Sequence, residues 1–85
     1  MDSDSSISVE EFLRDLVAER GEIARDFAPT AFFRRDLSVD SLAMIEVIVE
    51  CEKHFSITIP EERFPDFNCL ANALKLIGEL RTAKM

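Results

Sequence analysis

Asp36-Leu37-Ser38-Val39-Asp40-Ser41-Leu42 is the stretch where a loop gives way to the longest apolar-periodic segment of the chain. Asp40 carries the short acceptor side chain that caps a helix by taking a hydrogen bond from a backbone N–H of the first turn. With Asp40 as N-cap, Ser41 becomes the first helical residue and its hydroxyl stands clear at the helix end. Unpaired N–H groups and the positive end of the helix dipole gather there, so a phosphate ester on Ser41 would sit in favourable electrostatics. A plainer reading stands beside this one: Asp-Ser-Leu is a short motif, and a cap with no further role also accounts for it.

The helix that Asp40 opens is expected from Ser41 to about Phe55. At about 100° per residue with Leu42 at zero, Met44, Val47, Ile48, Cys51 and Phe55 cluster between about 140° and 240°, and Leu42, Ile45 and Val49 between about 300° and 360°. That apolar arc is wider than packing onto one core requires. One reading places Val47, Ile48, Cys51 and Phe55 against the core and leaves Leu42, Ile45 and Val49 as a shallow apolar strip beside Ser41. Asp40, Glu46 and Glu50 would then rim the strip with charge, the arrangement of a transient docking surface. The other reading makes every one of these apolar residues core in a tightly wrapped four-helix domain.

Downstream, Pro60 cannot continue a helix but suits the first turn of a new one, where Glu61 and Glu62 complement the dipole. A short third helix is expected from about Glu61 to Phe64, ending at Pro65. Asn68 is a fair N-cap for a fourth, whose Leu70, Ala73, Leu74, Ile77 and Leu80 share one face, with residues 81–85 as a loose tail. Upstream, residues 1–6 lack apolar content and read as a second tail. Ser8 with Glu11 forms a capping box, and Ile7 with Phe12 a hydrophobic staple. Phe12, Leu13, Leu16 and Val17 recur at helical spacing, and Gly21 reads as the stop of a first helix over residues 9–20. Between Glu22 and Val39 no period is sustained, although Glu22 to Phe27 could hold a further helical turn. Phe27, Phe32, Phe33 and Leu37 are expected to pin this long connection to the core. Arg34 and Arg35 read first as a solvated pair and second as contacts for a phosphate or a partner.

The whole is an all-α chain of 85 residues, 47% hydrophobic and 32% charged with two glycines, which fits one small globular domain over residues 1–85. A net charge of −7 repels phosphate backbones and anionic membranes, so nucleic acid is not an expected ligand and partners with basic patches are. No apolar run approaches a membrane span and the polar start is no secretory signal, so a cytoplasmic setting is expected. Cys51 and Cys69 lie far apart and are taken as core residues, and with His54 as the one histidine no metal site is expected. Asp36, Asp40 and Glu46 could gather around a divalent ion but read better as a cap and solvated charges. His54 stands about 20 Å along the helix from Ser41, too far to act as its general base. Intrinsic catalysis is therefore not expected.

Asp36-Leu37, Asp40-Ser41-Leu42, Glu46, Phe55 and Ile59-Pro60, at these separations, resemble the acyl carrier proteins, and the resemblance spans about Val9 to Leu80. It implies a small four-helix bundle with a long loop between helices one and two and a short third helix. By the same match Ser41 would bear a 4′-phosphopantetheine arm installed from coenzyme A by a phosphopantetheinyl transferase. The chain would then be a monomeric, non-catalytic carrier of acyl thioesters for fatty acid, polyketide or related biosynthesis. Its second helix would dock acyl-loading and acyl-processing enzymes, which favours the strip of Leu42, Ile45 and Val49 with Asp40, Glu46 and Glu50. Cargo is expected between helices two and three along Ile45, Val49, Ile59 and Phe64. Ser38 stands where the family usually has glycine, which questions the loop's shape if the backbone there needs positive φ. A standalone aminoacyl or peptidyl carrier uses the same arm but commonly shows Gly-His-Ser where this chain has Val39-Asp40-Ser41. An unmodified helical adaptor binding through helix two is the third reading.

Overall fold

The computed structural model describes residues 8–83, so the Ile7 staple, the tail over 1–6 and the last two residues lie outside it. Its helices are α1 (Val9–Gly21), α2 (Ser41–Phe55), a 3₁₀ helix (Glu61–Asp66) and α3 (Leu70–Ala83), with no strand among the described residues. This is the all-α, four-helix arrangement the sequence implies. No described helix is long and apolar enough to cross a membrane.

Ser8 caps α1 by accepting the Glu11 N–H at 3.1 Å, and Leu13, Leu16 and Val17 are buried while Phe12 is half-buried. The stop falls one residue later than expected. Glu22, not Gly21, takes the left-handed conformation (φ 57°) and its N–H reaches the Ala18 carbonyl. Gly21 stays helical, and a Cβ there would meet Val39 Cγ2 at 2.8 Å, so its missing side chain serves close approach of the connection. No helical turn forms between Glu22 and Phe27.

α2 has the expected bounds. Asp40 Oδ1 accepts the Ala43 N–H at 2.8 Å, and Ser56 closes the helix at φ 55° with its N–H on the Glu52 carbonyl. Met44, Val47, Ile48 and Cys51 face the core with Ala43, and Phe55 packs half-buried at its edge. The 3₁₀ helix extends through Pro65 instead of stopping at it, because a proline φ is compatible with 3₁₀ geometry.

α3 starts two residues after Asn68, which caps differently than expected. Its Oδ1 accepts from Asn72 Nδ2 at 2.8 Å, and its backbone carbonyl accepts the Phe33 N–H at 2.9 Å. An antiparallel bridge between Phe32 and Cys69 holds this segment extended, so the helix opens at Leu70. Leu70, Ala73 and Ile77 are buried as expected, joined by Leu76, while Leu74 and Leu80 are half-buried. The helix continues past Leu80 to Ala83, and the Arg81 guanidinium lies 5.2 Å from the Phe55 ring centre.

The connection from Glu22 to Asp40 is ordered by packing. Phe27 and Phe33 are buried, as is Val39, which no period in the sequence had singled out; Phe32 and Leu37 are half-buried. Arg14 Nη1 donates to the Arg25 and Phe27 carbonyls at 2.8 and 2.6 Å, and the Ala71 N–H reaches the Pro29 carbonyl at 3.0 Å. Ser38 has φ 59°, the strained region that favours glycine. Relieving a left-handed non-glycine residue returns about 1–2 kcal/mol, and glycine's added unfolded-chain freedom takes back about 0.5–1 kcal/mol. Ser38→Gly is therefore expected to stabilise the domain by roughly 0.5–1 kcal/mol, read as a higher urea midpoint at unchanged slope.

Candidate functional site

The loop before α2 is tied down by two aspartates that flank it. Asp36 Oδ2 accepts the Phe32 N–H at 2.8 Å and its Oδ1 meets Arg35 Nε at 3.3 Å. The backbone hydrogen bond first, and Arg35 second, hold the Asp36 carboxyl below the usual carboxylate range. Whatever Asp36 contributes is thus present at neutral pH and lost as acid titrates the folded carboxylate. Asp40 is held by its cap. Glu46 pairs elsewhere, and among the described residues no group of three acidic, histidine or cysteine side chains could hold a metal ion.

Ser41 is exposed at the first turn of α2, and its hydroxyl makes no hydrogen bond among the described residues. Leu42, Ile45 and Val49 are 66%, 51% and 38% exposed, so the wide arc of the helical wheel divides into a buried face and an open strip. The acidic border of the strip has a feature sequence reasoning missed. Arg20 from α1 reaches across, with Nη1 3.6 Å from Glu46 and Nη2 3.6 Å from Glu50. Such half-exposed pairs are worth about 0–1 kcal/mol, so a partner's basic group could displace Arg20.

Beside Ser41 opens a groove of about 370 Å³. Its walls are chiefly Phe32, Met44, Ile45, Ile48, Phe64 and Phe67, and Arg34 and Arg35 also line it. Of the residues expected to shelter cargo, Ile45 and Phe64 stand in this groove. Val49 does not line it, and neither does Ile59, which is buried in the core at 3% exposure, with its N–H held by Glu52 Oε2 at 2.8 Å. The chain leaves the left-handed Ser56 turn directly into the core, which carries Ile59 away from the groove. Phe32 and Phe67 take its place as walls, a contact between distant segments that no local period marks.

His54 lies at the other end of α2, stacked on Phe12 with ring centres 3.9 Å apart and edge-on to Phe55 at 4.7 Å. Its role is packing. Both cysteines are free and buried, and burial, with Glu50 and Glu52 adding to it, pushes the Cys51 thiol up to about 12. Neither can serve as an accessible carrier thiol. Native protein without an arm should show no fast reaction with a thiol reagent, both cysteines should react on unfolding, and attachment of one pantetheine arm should add a single fast thiol.

The arrangement fits a phosphopantetheine group: an exposed serine hydroxyl with no partner among the described residues, at a capped helix start, next to a mostly apolar groove. Residues 11–80 match the family model described as a phosphopantetheine attachment site. The chain is 33% identical over 72 residues to an acyl carrier protein of Rubrobacter xylanophilus, covering 84% of this chain and 89% of that one. It is 34% identical over 77 residues to an acyl carrier protein of Acidothermus cellulolyticus, covering 86% and 92%. A probable acyl carrier protein of Caulobacter vibrioides is 46% identical over 48 residues, 56% of each chain. The chain belongs to the acyl carrier protein family, whose members are carriers rather than catalysts and bear a covalently attached 4′-phosphopantetheine.

Proposed function

We propose that Ser41 is the attachment residue, and that this chain carries acyl intermediates of fatty acid or polyketide biosynthesis as a single, monomeric, cytoplasmic carrier domain. The observation that supports this most is the exposed, unbonded Ser41 hydroxyl at the edge of the apolar groove. In the arm-attaching reaction Ser41 Oγ bonds to the phosphorus of coenzyme A that bears pantetheine; adenosine 3′,5′-bisphosphate leaves, and the serine proton passes to a base of the transferase. The arm supplies the thiol that the two buried cysteines cannot. Met44, Ile45, Ile48 and Phe64 offer an acyl chain an apolar wall, where each buried CH₂ is worth about 0.8 kcal/mol. That wall, and the relatives' names, favour an acyl cargo over an aminoacyl one.

Incubation of the purified protein with coenzyme A, magnesium and a broad-specificity phosphopantetheinyl transferase tests the assignment. Intact mass should rise by one phosphopantetheinyl group, and fragmentation should map it to Ser41. A group on any other residue, or none with a cognate transferase, refutes the assignment. Docking is assigned to Leu42, Ile45 and Val49, with Asp40, Glu46 and Glu50 meeting basic patches on the partners. Leu42 is largely exposed, so Leu42→Asp should leave the melting temperature unchanged while slowing arm transfer about tenfold, equivalent to one contact of about 1.4 kcal/mol.

A further inference from the structure

The groove beside Ser41 is mostly apolar, with Asn68 and two guanidinium groups as its other polar lining, and the two guanidinium groups differ in their commitments. Arg35 donates from Nε to Asp36 at 3.3 Å, and its guanidinium lies 4.4 Å from the Phe32 ring centre. Arg34 is exposed, lines the same groove as Ser41, and has neither an ion pair nor a ring contact among the described residues. An unpaired cation at an apolar groove is notable in a chain whose net charge is −7.

A phosphodiester on Ser41 adds a negative charge to that protein, and adds it next to the Asp40 carboxylate, which is held in place by the Ala43 N–H at 2.8 Å. Like charges this close repel, and the strength of the first-turn N–H groups is already shared with Asp40. A cation on the groove side of Ser41 would offset the repulsion. Arg35 already pairs through Nε with Asp36 and lies over Phe32, so Arg34 is the groove guanidinium without a partner among the described residues. We propose that Arg34 is the phosphate-positioning residue of this carrier: its guanidinium holds the phosphodiester of the Ser41-linked arm and so aims the arm across the groove between α2 and the 3₁₀ helix. A guanidinium suits the task because its planar fork of donors matches phosphate oxygens. A cargo carboxylate would be recognised by the same chemistry, but it would sit at the far end of a long arm. The phosphodiester is fixed at Ser41, in the groove that Arg34 lines.

The inference rests on Ser41 bearing the arm, and the two can fail separately because intact mass establishes the arm before Arg34 is examined. Wild type, Arg34→Gln and Arg34→Lys are converted to the arm-bearing form and each is prepared unloaded, hexanoyl-loaded and adipoyl-loaded. Phosphorus NMR of the phosphodiester is followed as salt is raised. The wild-type resonance should start displaced from that of a free phosphodiester and return toward it with salt, in all three loading states. In Arg34→Gln more than half of that displacement should be lost, and Arg34→Lys should recover part of it. Arm-induced amide shifts at Arg34 and Phe64 should shrink in parallel. Superimposable wild-type and Arg34→Gln spectra overturn the proposal, as does an effect confined to the adipoyl form, which would assign Arg34 to a cargo carboxylate. If Arg34→Gln fails to fold, the wild-type salt titration decides: a resonance at the free position at every salt concentration overturns the proposal, and salt-dependent displacement in all loading states supports it.

Discussion

Ser41→Ala is expected to take up no phosphopantetheinyl group under conditions that convert all of the wild type, while keeping its fold and its melting temperature. The loss is complete because, among the described residues, Ser41 alone puts an exposed hydroxyl on the first turn of α2 at the edge of the groove; Ser38 is exposed in the preceding loop but does not line the groove. The fold survives for identifiable reasons. The hydroxyl of Ser41 bonds nothing among the described residues, the cap of α2 is supplied by Asp40 to the Ala43 N–H, and alanine is the better helix former at this position. Stability should stay within about 0.5 kcal/mol of wild type. Asp40→Ala is the informative contrast, since it leaves the hydroxyl but removes the cap, at a cost of about 1 kcal/mol. Intact mass and thermal melting on the three proteins separate the residue that is modified from the residue that presents it. Full modification of Ser41→Ala would remove the assignment.

The second large effect is on stability. Phe33→Ala should destabilise the domain by about 3–5 kcal/mol, the range for deleting a buried aromatic ring. Phe33 is fully buried, with ring centres 6.2 Å from both Phe27 and Phe67. Its N–H reaches the Asn68 carbonyl and its carbonyl accepts the Val39 N–H, both at 2.9 Å. The ring therefore ties the long connection to Phe67 ahead of α3, while the backbone of the same residue pairs with Asn68 and with Val39 on the way into α2. For a domain of this size the loss corresponds to a drop in melting temperature of roughly 12–40 °C. Because a small domain holds only about 5–15 kcal/mol in total, part of the variant should be unfolded at growth temperature. Urea titration checks the magnitude. A cost below about 1 kcal/mol would mean that the connection is held by its backbone hydrogen bonds and not by this ring.

Most of the helical architecture could be read from local patterns. Asp40 and the apolar period set α2 and split its apolar residues into two groups, because a helix repeats every 3.6 residues whatever surrounds it; burial elsewhere in the fold decided that Leu42, Ile45 and Val49 stay open. Ser8 and the spacing of Leu13, Leu16 and Val17 set α1 in the same way. Where local signals failed, a contact from elsewhere in the chain had displaced them. Gly21 looked like a stop and is instead a gap for Val39, leaving Glu22 to turn the chain. Asn68 looked like a cap, but its carbonyl is taken by the Phe33 N–H.

The sequence by itself determined the presence and start of α2, the serine at its first turn, the grouping of Leu42, Ile45 and Val49 on one side of that helix, and the resemblance that proved to be the family. Each depends on residues within a few turns of one another, where spacing alone dictates which side chains share a face. Only the tertiary structure decided that Arg20 lies across Glu46 and Glu50, that Ile59 belongs to the core, and that Phe32, Phe67 and Arg34 line the groove beside Ser41. Arg20 meets Glu46 and Glu50 because α1 packs on α2, and Phe32 and Arg34 reach the groove because burial of Phe27, Phe33 and Val39 folds the connection back onto the helices.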